Sequence, residues 1–290
     1  FLAYKLFTLK KYWKTNKKGI LNFIASGILI FLIAFNILWG LNYYRIPLHE
    51  KLKIENQYSE DELVKVTHLL TDRINTIHSK YAKNINDRIE TTANTNQIYA
   101  NAAVGYQVLA EKDDTFFYKN PTVKSSLYST VLTYMGFSGY LNPFTNEAHV
   151  NSLMPKNNMM VTASHEIAHQ IGIGPESEAN FVGYLAAKNN TQPYFDYAAT
   201  SFALRYCLVR YPFKDKTEFE NYLKKINPGV LADWQHTRDF WQKHETFIDA
   251  IFKFIYDKFL KLNQQEFGIE GYSKFLDLLI QYELNFNENR

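Results

Sequence analysis

His165, Glu166 and His169 stand in the pattern His-Glu-x-x-His, inside an uncharged run of flanking residues from Val161 to Ile171 that contains no proline. In an α-helix, residues four apart share a face, so this spacing predicts two imidazoles aimed at one metal ion. Glu166 lies about 100° further round the helix, within reach of a water on that metal. The chemistry such a set performs is zinc-assisted hydrolysis of a peptide bond. Zn2+ brings the pKa of water toward about 7 and polarises the scissile carbonyl, while Glu166 takes the proton and delivers it to the leaving amine. The plainer alternative is an amphipathic helix with two satisfied core histidines. The sequence that follows favours the metal.

A catalytic zinc needs three protein ligands and one open position. Gly172, Gly174 and Pro175 end the first helix and begin a second, with Pro175 suited to its first position. Two carboxylates arrive there. Glu176 shares its helix face with Ala179, Asn180 and Gly183, small residues that allow close approach to the first helix. Glu178 shares its face with Phe181, Val182 and Leu185, the side expected to meet the core. Either can also serve as favourable charge at a helix N-terminus.

Glu176-Ser-Glu-Ala-Asn180 resembles the Glu-x-x-x-Asp of gluzincin-type zinc peptidases. The resemblance implies Glu176 as the third ligand, with Glu178 as the alternative, and Asn180 as the group that holds a zinc-bound histidine. Asn in place of Asp orients an imidazole without raising its basicity. The linker between the helices is shorter than in gluzincins. A short Gly turn is similar to that of metzincins, whose third ligand is a histidine absent here.

The elements that must carry this site begin at a membrane. The chain starts on Phe1, so it reads as a piece of a longer product. Residues 1–18 hold Lys5, Lys10, Lys11, Lys14, Lys17 and Lys18 and no acid, and residues 19–44 hold no charge. The second stretch is long enough to cross a bilayer as a helix, with Trp39, Tyr43 and Tyr44 at its far interface. The basic segment then lies in the cytoplasm, and residues 45–290 form an extracytoplasmic domain of the cytoplasmic (inner) membrane. Without the six lysines the net charge of +3 falls to about −3. That argues against a nucleic-acid surface, which needs a concentrated basic patch. The single cysteine, Cys207, cannot form an internal disulfide and reads as a core residue.

The expected fold is mainly α with a small β element, a zincin-like α+β domain. Residues 45–134 read as helical, 135–190 as the metal-site core and 191–290 as helical again. Ser59-Glu-Asp-Glu62 is a capping box for a helix continuing through Leu63, Val66, Leu70, Ile74 and Ile77. Further helices are expected over residues 87–109 and 121–134. Residues 147–153 alternate weakly as a strand, or form a loop; a strand there would offer an edge to an extended substrate. His149 in that stretch reads as a surface or substrate-side histidine, with an extra ligand as the alternative. Asn157-Asn158 suggests a turn before a metal-binding helix that starts near Val161. Arg205 and Tyr206, on a helix from Tyr194, are candidates to stabilise an oxyanion. Helices over 216–226, 231–262 and 272–282 complete the chain, with Trp234, Phe240, Trp241, Phe247, Phe252 and Tyr256 read as ordinary core.

Trp39-Gly-Leu-Asn-Tyr-Tyr-Arg45, Gly139 to Asn151, His165 to Gln170, Glu178 to Leu185 and the segment from Gly271 resemble a bacterial membrane-anchored family catalogued as a domain of unknown function. The resemblance covers most of the chain and implies a zincin-like envelope protein. The function expected is a membrane-anchored zinc peptidase acting on a peptide or protein substrate. The alternative is an inactive or structural-zinc module that binds a membrane or envelope partner.

Overall fold

A computed structural model of the chain describes residues 17–263 and 272–288. Helix α1, Lys17–Leu38, is a continuous apolar rod. Its 18-residue window has a mean hydropathy of 2.3 and none of it is buried against the rest of the protein. The helix stops short of residue 44, because Gly40–Tyr44 tighten into a 3-10 turn. Lys5, Lys10, Lys11 and Lys14 of the basic cluster, and Gly271, lie outside the described residues.

After a short helix α2, Leu48–Leu52, the capping box forms as expected at the head of α3, Glu60–Tyr81. The Glu62 amide donates to Ser59 Oγ at 3.3 Å and the Ser59 amide donates to Glu62 Oε2 at 2.7 Å. Helix α4, Thr95–Lys112, begins later than residue 87. A second capping box, Asn94 with Gln97, sets its start, and the Ile89 amide before it is held by Asp233. Where the sequence suggests one helix over 121–134, there is a strand β1, Val123–Ser125, and then a shorter helix α5, Ser129–Met135. The Thr122 amide donates to Gln170 Oε1 at 2.9 Å, which draws this segment alongside the sheet.

Strands β2, Gly139–Asn142, and β3, Glu147–Val150, pair antiparallel, with Gly139 opposite Val150 and Tyr140 opposite His149. Strand β1 pairs parallel to β3 on its other side, giving the order β1-β3-β2 among the described residues. Residues 147–150 are therefore a strand, and the helical first region contributes a strand of its own.

Helices α6, Lys156–Gln170, and α7, Glu176–Lys188, form the centre. Helix α6 starts at Lys156, so Asn157 and Asn158 lie in its first turn rather than in a loop. Helices α8, Pro193–Arg210, α9, Lys216–Leu223, and α10, Pro228–His244, follow. The long helix expected over 231–262 is broken: α11, Phe247–Leu262, is a separate element. Helix α12, Tyr272–Glu288, packs back on α7, where Lys188 and the Tyr184 hydroxyl both meet the buried Glu283 carboxylate. One hydrophobic cluster, running from Leu48 to Leu284 and including Ile167, Phe181, Tyr184 and Leu204, joins these layers. Cys207 lies within it, and burial pushes its thiol up to about 12.

Candidate metal centre

The α6–α7 connection is a local consequence of glycine. Gly172 takes φ +92°, in the left-handed region. Its amide donates to the His169 carbonyl at 2.9 Å and the Ile173 amide donates to Ala168 at 3.1 Å. That pair of bonds is the Schellman closure of a helix. It also turns the Ile173 carbonyl back over α6, where it accepts a hydrogen bond from His169 Nδ1 at 2.7 Å. A carbonyl can only accept, so Nδ1 carries a proton and Nε2 is the nitrogen turned toward α7. Arg45 Nη1 donates to the Ile171 and Gly172 carbonyls at 3.1 and 2.8 Å, tying the segment after α1 to the same turn.

The α7 backbone comes unusually close to α6 at Gly183. A Cβ there would stand 2.8 Å from the His165 nitrogen and 2.9 Å from its Cα. This close approach, on the face that Gly183 shares with Ala179 and Glu176, lets the Glu176 carboxylate span both imidazoles. Its Oε2 lies 3.3 Å from His165 Nε2 and its Oε1 lies 3.4 Å from His169 Nε2. One ligand atom from each of the three residues falls within 4.8 Å of the others.

These distances fit a metal ion. A charge-assisted N–H···O bond is normally about 2.7–2.9 Å, whereas two ligands of a tetrahedral zinc stand about 3.4 Å apart. Glu166 Oε2 beside the site is buried and has no hydrogen-bond partner among the described residues. Strand β2 crosses close to the same carboxylate, since a Cβ on Gly139 would lie 2.6 Å from Glu166 Oε1. Two imidazoles and a carboxylate suit zinc, and a fully buried acid beside them suits proton transfer.

The electrostatics agree with a shared charge. Burial pushes the Glu166 carboxyl up to about 7, against the opposing pull of His165 and His169. Burial alone would make His169 less basic, but the adjacent Glu176 carboxylate outweighs it and raises the imidazole to about 9. Desolvation would raise the half-buried Glu176 carboxyl, but His169 and its contacts with both rings hold it well below the usual carboxylate range.

The other candidates are placed elsewhere. Glu178 Oε1 accepts the Leu48 amide of α2 at 2.8 Å, so it fastens the segment after α1 and does not join the three donors. Asn180 makes no hydrogen bond to either histidine among the described residues; the Ile173 carbonyl does that work for His169, and His165 Nδ1 has no partner there. His149 stacks on Tyr140 at 4.9 Å and sits 3.7 Å from Glu147, outside the cluster. Arg205 is on an exposed face beside Arg238. Tyr206 lines a cavity of about 970 Å3 that reaches Glu176, Asn180 and Tyr256 but neither histidine.

Two residues at the site escape the sequence reading. Tyr256 of α11 donates its hydroxyl to Glu176 Oε1 at 2.8 Å, and Trp39, just beyond α1, packs edge-on against His169 at 5.5 Å. The one signal for Tyr256 was a lone hydroxyl within a stripe read as core. Phe247 of that stripe is 76% exposed. A family model described as a protein of unknown function (DUF3810) matches residues 1–280. The chain belongs to the DUF3810 family. No curated protein and no solved structure matches it. The DUF3810 span takes in α1, the three donors, Glu166 and Tyr256 together, while its description assigns no chemistry.

Proposed function

We infer that this protein is a zinc-dependent peptidase of zincin-like architecture, anchored by α1 in the cytoplasmic membrane with its domain on the outer side. The observation that carries the reading is the convergence of His165, His169 and Glu176 at 3.3 and 3.4 Å, beside a buried Glu166 whose Oε2 has no hydrogen-bond partner among the described residues. Zinc bound by these three supplies a Lewis acid that activates water and polarises a carbonyl. Glu166 is the general base and then the acid for the leaving amine; a carboxyl raised toward neutrality suits both roles. A dication beside it would lower that value again. Ile173 and Glu176 keep the two imidazoles in register. Tyr256 spends its one hydroxyl proton on Glu176, so its role is to hold that carboxylate. Strand β2, at the edge of the sheet among the described residues and next to Glu166, offers an extended substrate a partner strand.

One observation favours the second reading, a zinc-holding module that binds an envelope partner without hydrolysis. The large cavity reaches Glu176 but not the histidines, as it would in a closed site. The test is zinc content and peptide-library cleavage by the full chain in detergent. Stoichiometric zinc with cleavage that Glu166→Gln abolishes while keeping the metal supports the peptidase. Zinc without cleavage favours the module, and no zinc in wild type after metal-replete purification overturns both.

A further inference from the structure

Helix α11 is amphipathic in an inverted sense. Its inward stripe is Asp249, Phe252, Tyr256 and Leu260, while its outward stripe is mostly apolar, with Lys258 within it. Phe247, Ile251, Phe254, Ile255, Phe259 and Leu262 are 76, 51, 64, 53, 37 and 82% exposed. Six large apolar side chains on one exposed face are not left to water without a partner. Their neighbourhood identifies it. Phe259 packs edge-on against Phe35 of α1 at 5.9 Å, and Phe144, at the tip of the β2–β3 hairpin, meets Phe31 at 5.4 Å. Phe31 lies seven residues before Leu38, hence about 10 Å back along α1 from its end. The apolar face of α11 and the hairpin tip are thus continuous with the bilayer-crossing helix, at a depth an interfacial helix reaches, about 5–10 Å. The charges on α11 suit that position. Lys253 and Lys261 each pair with an aspartate at 2.8 Å, and the Lys258 ammonium lies over the Phe254 ring at 5.4 Å.

We propose that α11, together with the tip of the β2–β3 hairpin, is a second membrane contact, lying flat in the lipid interface beside α1. The bilayer covers the outward face, and the inward face holds Tyr256 on Glu176. The proposal rests on α1 being a membrane anchor and is independent of any hydrolysis. It is tested in the full chain, reconstituted in phosphatidylcholine nanodiscs, with nitroxide labels on single cysteines introduced at Ile28, Phe254 and Lys216; Cys207 is fully buried and stays in place. Accessibility to oxygen and to a water-soluble nickel chelate is compared. Lys216, 87% exposed on a charged helix, is the aqueous reference. The expected result is that Ile28 and Phe254 labels both show an oxygen-to-nickel ratio several-fold above that at Lys216. A lipid-like Ile28 with an aqueous Phe254 overturns the interfacial contact alone. A Phe254 label shielded from both reagents overturns it in favour of a protein partner, and an aqueous Ile28 overturns the anchor with it.

Discussion

The Tyr256 hydroxyl and the Glu176 carboxylate are joined at 2.8 Å across 80 positions of chain. This bond makes α11 part of the candidate metal centre, because it fixes the one donor that does not come from α6. Groups that orient a metal ligand typically contribute about 10- to 100-fold in affinity. Tyr256→Phe should therefore bind zinc at least tenfold more weakly in chelator competition, with the fold intact. Unchanged affinity would mean that Glu176 is held by its own helix alone.

Glu176 and Glu178 have separate duties. Glu176→Ala should lose stoichiometric zinc in the detergent-purified full chain. Glu178→Ala should keep zinc but cost about 1–2 kcal/mol, seen as a lower thermal midpoint, because it leaves the Leu48 amide without its acceptor. Zinc lost from Glu178→Ala and kept in Glu176→Ala would reverse the assignment.

The pH dependence follows from His169, raised from 6.5 to about 9. Without metal, its pairing with Glu176 contributes stability that is complete below pH 6.5 and is lost as pH rises through 9. Glu166, raised from 4.5 to about 7, acts in the same direction, since its ionisation is unfavourable in the folded protein. In chelator, the thermal midpoint should fall from pH 6.5 to pH 9, and much less so in Glu176→Gln. Zinc must displace the His169 proton and lowers the half-protonated Glu166, so binding at pH 7 should release about one to one and a half protons, measurable by calorimetry in buffers of different ionisation enthalpy. No release would show that His169 is already neutral.

Gly183→Ala tests the close approach of the helices. The new methyl meets backbone of His165 rather than a movable side chain, so α6 and α7 must part. The expected cost is about 1–3 kcal/mol in thermal unfolding, with weaker zinc binding. Gly27→Ala, with nothing within 4 Å of the added carbon, should change neither.

Features that depend on residues a few positions apart were legible before any fold was known. The His165–His169 spacing, the Ser59–Glu62 capping box, the apolar run of α1 and the glycine stop after Gln170 are set by helix periodicity and local backbone chemistry. Glu176 was named with Glu178, because both sit in the first turn of α7 and only the direction of approach separates them. Tertiary structure made that choice: Gly183 presses α7 against His165, while α2 occupies Glu178. It also recruited Tyr256 and Trp39, placed the Ile173 carbonyl where Asn180 was expected to act, and drew Val123–Ser125 out of a helix into the sheet. Each of these depends on contacts between segments far apart in the chain. No local propensity encodes which distant face arrives, so the sequence named the helix that carries His165, Glu166 and His169, and the fold supplied the rest of the candidate centre.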